Sequence, residues 1–193
     1  MFIEITEYLR CPRPHDPAWL VLAPATMADR HVLEGTLGCP ACGAEYPIRD
    51  GIARFGTAPA LPAAEPALPA VDVVHALLGL ASPGGYIALV GSAAGLAAGL
   101  GRVMEGVHFV TVNGGRHADP GVTMLEATDS IPLRNRVVRG VVLGGESVAG
   151  LVDEAARVVL PGQRVVALTE TLAPVEGLED LARGQGLWVG RKR

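Results

Sequence analysis

The chain has no cysteine after position 42, no excess of basic charge and no apolar run long enough for a membrane. It has 193 residues and three cysteines, Cys11, Cys39 and Cys42. An odd count with a Cys-x-x-Cys pair argues against a disulfide framework. It fits a metal and a reducing cytoplasm better. Net charge is −4, so the clustered Lys and Arg that neutralise phosphate are missing and no direct nucleic-acid partner is expected. The basic end Arg191-Lys192-Arg193 is too short to change that balance. Aromatic residues make up 4% of the chain, which also argues against a nucleic-acid-binding surface. The longest apolar run, Tyr86 to Leu100, is Gly-rich and shorter than a membrane span. The start, Met1-Phe2-Ile3-Glu4-Ile5, carries an acid and no basic stretch, so no secretory leader is expected. No Ser-His-Asp arrangement, phosphate loop, paired carboxylate site or internal repeat stands out.

What is present divides by composition. Residues 1–56 hold short strand-like pieces, Trp19 to Leu22 and His31 to Leu37, separated by turn residues. Residues 57–70 are rich in Pro and Ala and predict an extended linker. Residues 71–193 alternate helical and strand patterns. Helices are expected at Val71 to Leu80, after the Gly/Ala-rich turn to about Met104, at Ser147 to Val159 and at Leu178 to Arg183. Strands are expected at Tyr86 to Val90, Val107 to Val112, Gly121 to Ala127, Val137 to Leu143, Gln163 to Thr169 and Leu187 to Arg191. A Pro161-Gly162 turn precedes the Gln163 strand. Strands that are apolar throughout and alternate with helices predict an α/β fold with a mostly parallel, Rossmann-like sheet.

The cysteines point to structural zinc, which takes four ligands in a tetrahedron and favours thiolate. Cys39 and Cys42 have the spacing to grip one ion from a single knuckle, with Gly43 letting the backbone turn. Cys11 supplies a third ligand, and His15 is the fourth candidate by closeness to Cys11. Asp16 and His31 remain alternatives. A catalytic zinc is not expected, since nothing near the knuckle has the character of a general base.

Three stretches carry a resemblance: Leu9-Arg10-Cys11-Pro12, Leu37 to Gly43, and Tyr46-Pro47-Ile48-Arg49-Asp50-Gly51-Ile52. Together they resemble the small zinc-ribbon activator proteins of class I methyltransferases, over roughly residues 7 to 55. That resemblance implies a docking module for tRNA-, rRNA- or release-factor-modifying enzymes. Pro14 stands where the family commonly has a second cysteine.

The rest resembles class I S-adenosylmethionine-dependent methyltransferases. Pro83 to Gly91 is similar to their first strand, and Thr128 to Leu133 to the acidic loop after their third. Val137 to Gly144 is similar to their fourth, and Leu151 to Ala167 to the helix, Pro-Gly turn and fifth strand. This resemblance implies a cofactor pocket at Gly91, Ser92, Gly95, Asn113 and Asp129. The glycines would allow close backbone approach, and Asn113 would face the ribose. Three departures weaken that pocket. Ala93 replaces the middle Gly, Leu89 the acid two before the first Gly, and Asn113 the ribose-binding acid. His75, His108 and His117 are isolated in the sequence, and Glu146 has the place of a helix-start acid, so no catalytic residue is named. The expectation is a non-catalytic scaffold or regulatory subunit. Its partner would be a protein, plausibly an active methyltransferase, or a second copy. The alternative is a methyltransferase with an atypical pocket for S-adenosylmethionine.

Overall fold

The structure is a computed structural model, and it describes residues 1–57, 67–115, 121–145 and 148–193. A 3-10 helix at Ile3–Tyr8 opens the chain. Four strands follow: β1 (Val21–Ala28), β2 (His31–Gly38), β3 (Glu45–Arg49) and β4 (Ile52–Phe55). Next come α1 (Val71–Leu78), β5 (Tyr86–Gly91), a 3-10 turn at Ser92–Leu96 and α2 (Ala97–Val103). Then β6 (His108–Val112), β7 (Val122–Ala127), β8 (Val138–Gly144) and α3 (Val148–Val158) follow. The chain closes with β9 (Val159–Ala167), β10 (Leu178–Gly184) and β11 (Leu187–Lys192).

The eleven strands among the described residues lie in one sheet, in the order β1-β2-β3-β4-β7-β6-β5-β8-β9-β11-β10. The run from β4 through β7, β6, β5, β8 to β9 is parallel, and both flanks are antiparallel. The central order reverses at β5, the doubly wound arrangement in which ligands lie beyond the carboxyl ends of the strands beside the reversal. The antiparallel ribbon β1–β4 therefore extends the central sheet: Ile52 to Phe55 pair with Met124 to Ala127.

Period-two alternation assigns the two faces. Ile87 and Leu89 of β5 pack with Val74 and Leu78 of α1 and Ala97 and Leu100 of α2. Ala88 and Val90 face the other way, into a cluster with Leu151, Val152 and Ala155 of α3. Ile5 and Leu9 belong to that same cluster, as do Leu37 and Ile48 of the ribbon. The ribbon's apolar side chains thus share the core of the second half. Fully burying Ile5, Leu9 and Leu133 stabilises this junction by about 1.5–3 kcal/mol each. Backbone bonds reinforce it. Arg134 N–H donates to Tyr8 O at 2.7 Å and Arg10 N–H to Pro132 O at 3.1 Å.

Two expectations need correction. Leu178 to Arg183 is strand β10, not a helix. Its pairing with β11 closes a hairpin whose turn residues Gln185 and Gly186 both have positive φ. That is the two-residue turn that suits strand twist, and ladder bonds outweigh local helix preference. Pro161-Gly162 is a bulge within β9 rather than a turn before it. Val138 pairs with Val159, then Gly140 with Arg164, and Gly162 takes φ 78°. Most of the Pro/Ala stretch, residues 58–66, lies outside the described residues, as do His117 and Glu146. No described helix is long and apolar enough to cross a membrane.

Candidate functional site

The ligand atoms of Cys11, His15, Cys39 and Cys42 all lie within 4.8 Å of one another. The Cys39–Cys42 knuckle is shaped by two backbone bonds, Gly43 N–H to Cys39 O at 2.9 Å and Cys39 N–H to Ala44 O at 2.8 Å. Gly43 takes φ 67°, a left-handed conformation that glycine adopts without strain. Cys11 and His15 arrive on the loop that follows the first 3-10 helix. Cys11 Sγ is 3.7 Å from Cys42 Sγ, and Cys39 Sγ is 3.4 Å from His15 Nε2. Zinc–sulfur bonds of about 2.3 Å and zinc–nitrogen bonds of about 2.0 Å give tetrahedron edges near 3.8 and 3.5 Å. The observed separations match, so the Cys/His cluster is compatible with zinc.

The surroundings suit a metal as well. His15 Nδ1–H donates to Asp16 O at 2.6 Å, which sets the tautomer that leaves Nε2 free. That bond also raises the His15 pKa. Burial pushes the Cys39 thiol up, but backbone N–H groups of Cys42 and Ala41 outweigh it and hold it at about 7. Tyr46 Oη sits 2.9 Å from Cys11 Sγ and would donate to a thiolate there. Burial, then the Cys11 contact, pushes the Tyr46 phenol up, so it keeps its proton. This supporting hydroxyl was not singled out from sequence, although its Tyr-Pro-Ile stretch was. The other ligand candidates lie elsewhere. His31 bonds Asp29 O at 3.0 Å and packs on Phe2, and Asp16 serves through its backbone carbonyl.

The strand-end loops are arranged differently. Gly91 takes φ 60° at the end of β5, and Ser92 and Gly95 lie in the 3-10 turn behind it. Asn113 follows β6, and both ends of its amide bond to the Ala127 backbone. Nδ2 donates to Ala127 O at 2.8 Å and Oδ1 accepts from Ala127 N–H at 2.9 Å. It extends the β6–β7 ladder by one rung, buried at 6% exposure, with φ 57°. Gly114 lies so close to the first loop that a Cβ there would meet Ala94 Cβ at 2.0 Å. Gly144 would meet Ser92 Oγ at 2.5 Å. The loops after β5, β6 and β8 therefore touch where the fold places a ligand. Asp129 is exposed beyond β7. His75 is on α1, and His108 packs between Phe2 and Tyr86.

Known proteins add the following. Residues 4–51 match the family model described as Trm112p-like protein, about a quarter of the chain. No curated protein matches. Among solved structures, a chain from the complex between the Haloferax volcanii Trm112 methyltransferase activator and the putative methyltransferase is similar. Identity is 18%, TM-score 0.40, and half of each chain is covered. Geranyl diphosphate C-methyltransferase from Streptomyces coelicolor A3(2) is 18% identical, TM-score 0.42, over 50% of this chain and 41% of that one. The antibiotic-resistance methyltransferase Kmr is 14% identical, TM-score 0.43, over 65% of this chain and 94% of that one. The match spans about half the length of the first of these. Fold and site together define an α/β protein built on one mixed, centrally parallel sheet. It carries a Trm112p-like segment at its start, with a Cys/His cluster compatible with zinc.

Proposed function

We propose that this chain is a non-catalytic cytoplasmic protein, a scaffold or regulatory subunit for a protein partner of the methyltransferase class. Structural zinc at Cys11, His15, Cys39 and Cys42 would tie the two loops of the ribbon together. The ribbon's fourth strand already occupies the edge of its own chain's central sheet, beside β7. The segment would then serve the same polypeptide first, and the assembled sheet would be what a partner meets.

One observation carries the non-catalytic reading: the Asn113 amide is closed onto Ala127 while Gly114 presses on Ala94. Methyl transfer depends on positioning a cofactor, and this arrangement supplies no ribose cradle. Titration calorimetry of the zinc-loaded chain with S-adenosylmethionine tests the reading. No binding at millimolar ligand is expected. Micromolar binding, or methylation of any acceptor by the isolated chain, would overturn it. A second reading, a methyltransferase with an atypical pocket, draws on Gly91 and Gly145. Both have positive φ at the ends of β5 and β8, where the sheet order reverses. Micromolar binding would favour it.

A further inference from the structure

A cleft opens where the ribbon meets the second half. It is lined by Arg10, Pro17, Ala18 and Trp19 from one side and Arg134 and Asn135 from the other, around a cavity of about 200 Å³. Neither half makes it alone.

Three features of this cleft are unusual for a structural seam. Trp19 is 57% exposed, a large apolar surface left in water. The Arg134 guanidinium lies over its ring at 3.5 Å from the centroid. With one face covered and that much surface open, the indole still presents its other face. The Arg10 Nε is buried and has no hydrogen-bond partner among the described residues, which is costly for a charged group. The charges here do not balance either. Glu154 gives both carboxylate oxygens to Arg157, at 2.6 and 2.7 Å, and stands 3.7 Å from Arg10. Arg157 also donates to Leu133 O, Asn135 Oδ1 and Ile131 O. It is a bonded floor with nothing left to offer. Arg134 spends one donor on Glu7 O at 3.4 Å and Arg10 has the Glu154 contact, so both keep donors for an anion, and Glu154 is the single carboxylate among these groups.

An open aromatic face beside two guanidinium groups has a recognisable chemistry. Stacking suits a flat ring, the guanidinium groups suit phosphate, and an Arg over the indole strengthens the platform. We propose that this cleft binds one nucleotide unit, its base on Trp19 and its phosphate between Arg10 and Arg134. The net charge of −4 opposes wrapping a long duplex. One nucleotide needs only these two local cations. The site is independent of the strand-end loops, so it stands whether or not the chain binds S-adenosylmethionine.

The test uses the zinc-loaded full chain labelled with ¹⁵N. The protein has two tryptophans, and Trp188 is fully buried, so its indole signal reports the fold while that of Trp19 reports the cleft. Uridine 5′-monophosphate should shift the Trp19 indole signal and leave that of Trp188 in place. Uridine and inorganic phosphate should each bind about tenfold more weakly, since stacking and phosphate contacts act together. Arg134→Gln and Arg10→Gln should each weaken nucleotide binding by about tenfold. If Arg10→Gln disturbs the Trp188 signal, Arg134→Gln decides. Short oligouridylate binding more tightly than the mononucleotide identifies a single strand as the source, and equal binding identifies a free nucleotide. No Trp19 shift at millimolar nucleotide would overturn the proposal. So would phosphate binding as tightly as the nucleotide, wild-type affinity in the variants, or preference for an acidic peptide.

Discussion

At the Cys/His corner, four side chains from two loops turn toward one point. At the carboxyl end of β6, the Asn113 side chain turns toward backbone instead. Sulfur and nitrogen atoms at the first corner stand 3.4–3.7 Å apart, the edges of a zinc tetrahedron. Asn113 at the second closes its amide on Ala127, and Gly114 fills the space beside Ala94. Both corners resemble a known family in their residues. A resemblance carries chemistry only where its polar atoms remain free and convergent. Convergence survives at the metal corner because the knuckle is local and held by its own backbone bonds. The loops after β5, β6 and β8 depend instead on the spacing between three strand ends far apart in sequence.

This contrast can be broken or sharpened by mutation, beginning with the metal. Cys39→Ser should abolish zinc content by elemental analysis. It should cost about 4 kcal/mol or more, seen as a melting temperature lower by about 10 °C. Unchanged stability on zinc loss would make the metal corner as inert as the strand-end loops. Next comes the junction that joins the two regions. Leu9→Ala removes a fully buried side chain from the shared core and should cost about 3 kcal/mol by urea unfolding. Two separate unfolding transitions would show that the ribbon and the second half do not fold as one.

Asn113→Asp probes the strand-end side directly. The acid places a carboxylate against Ala127 O and deletes the Nδ2 donor. A loss of about 1–3 kcal/mol is expected, with no S-adenosylmethionine binding gained in calorimetry. If the acid instead creates micromolar binding, the loops are a pocket after all. The smallest effect belongs to Tyr46→Phe. Losing the hydroxyl beside Cys11 should weaken zinc affinity by about tenfold, the lower end for outer-shell partners. Competition with a chromogenic chelator measures it.

Much of the fold was legible because buried strands write themselves as apolar runs. Val138–Gly144 and Tyr86–Gly91 were visible within a residue or two. The Leu178–Gly184 strand was missed because it is an edge strand with five exposed residues in a row, leaving no periodic signal. Gly184-Gln185-Gly186, the hairpin turn, was the available clue. At the metal corner the Cys39–Cys42 spacing was readable. His15 was readable only as the nearest candidate, because convergence across 24 residues is a tertiary fact. The cleft at Trp19 and Arg134 left no trace, since its two sides lie more than a hundred positions apart in sequence.

The sequence by itself determined the element types of the central sheet, the Cys-x-x-Cys knuckle and the departures at Ala93, Leu89 and Asn113. The first two rest on local spacing, and the departures rest on a resemblance read along the chain. Only the tertiary structure decided that β4 pairs with β7, that Ile5 and Leu9 complete the far face of the sheet, and that Asn113 bonds to backbone. These depend on which surfaces meet. Burial and hydrogen-bond satisfaction are summed over the whole molecule, so no single segment contains the answer.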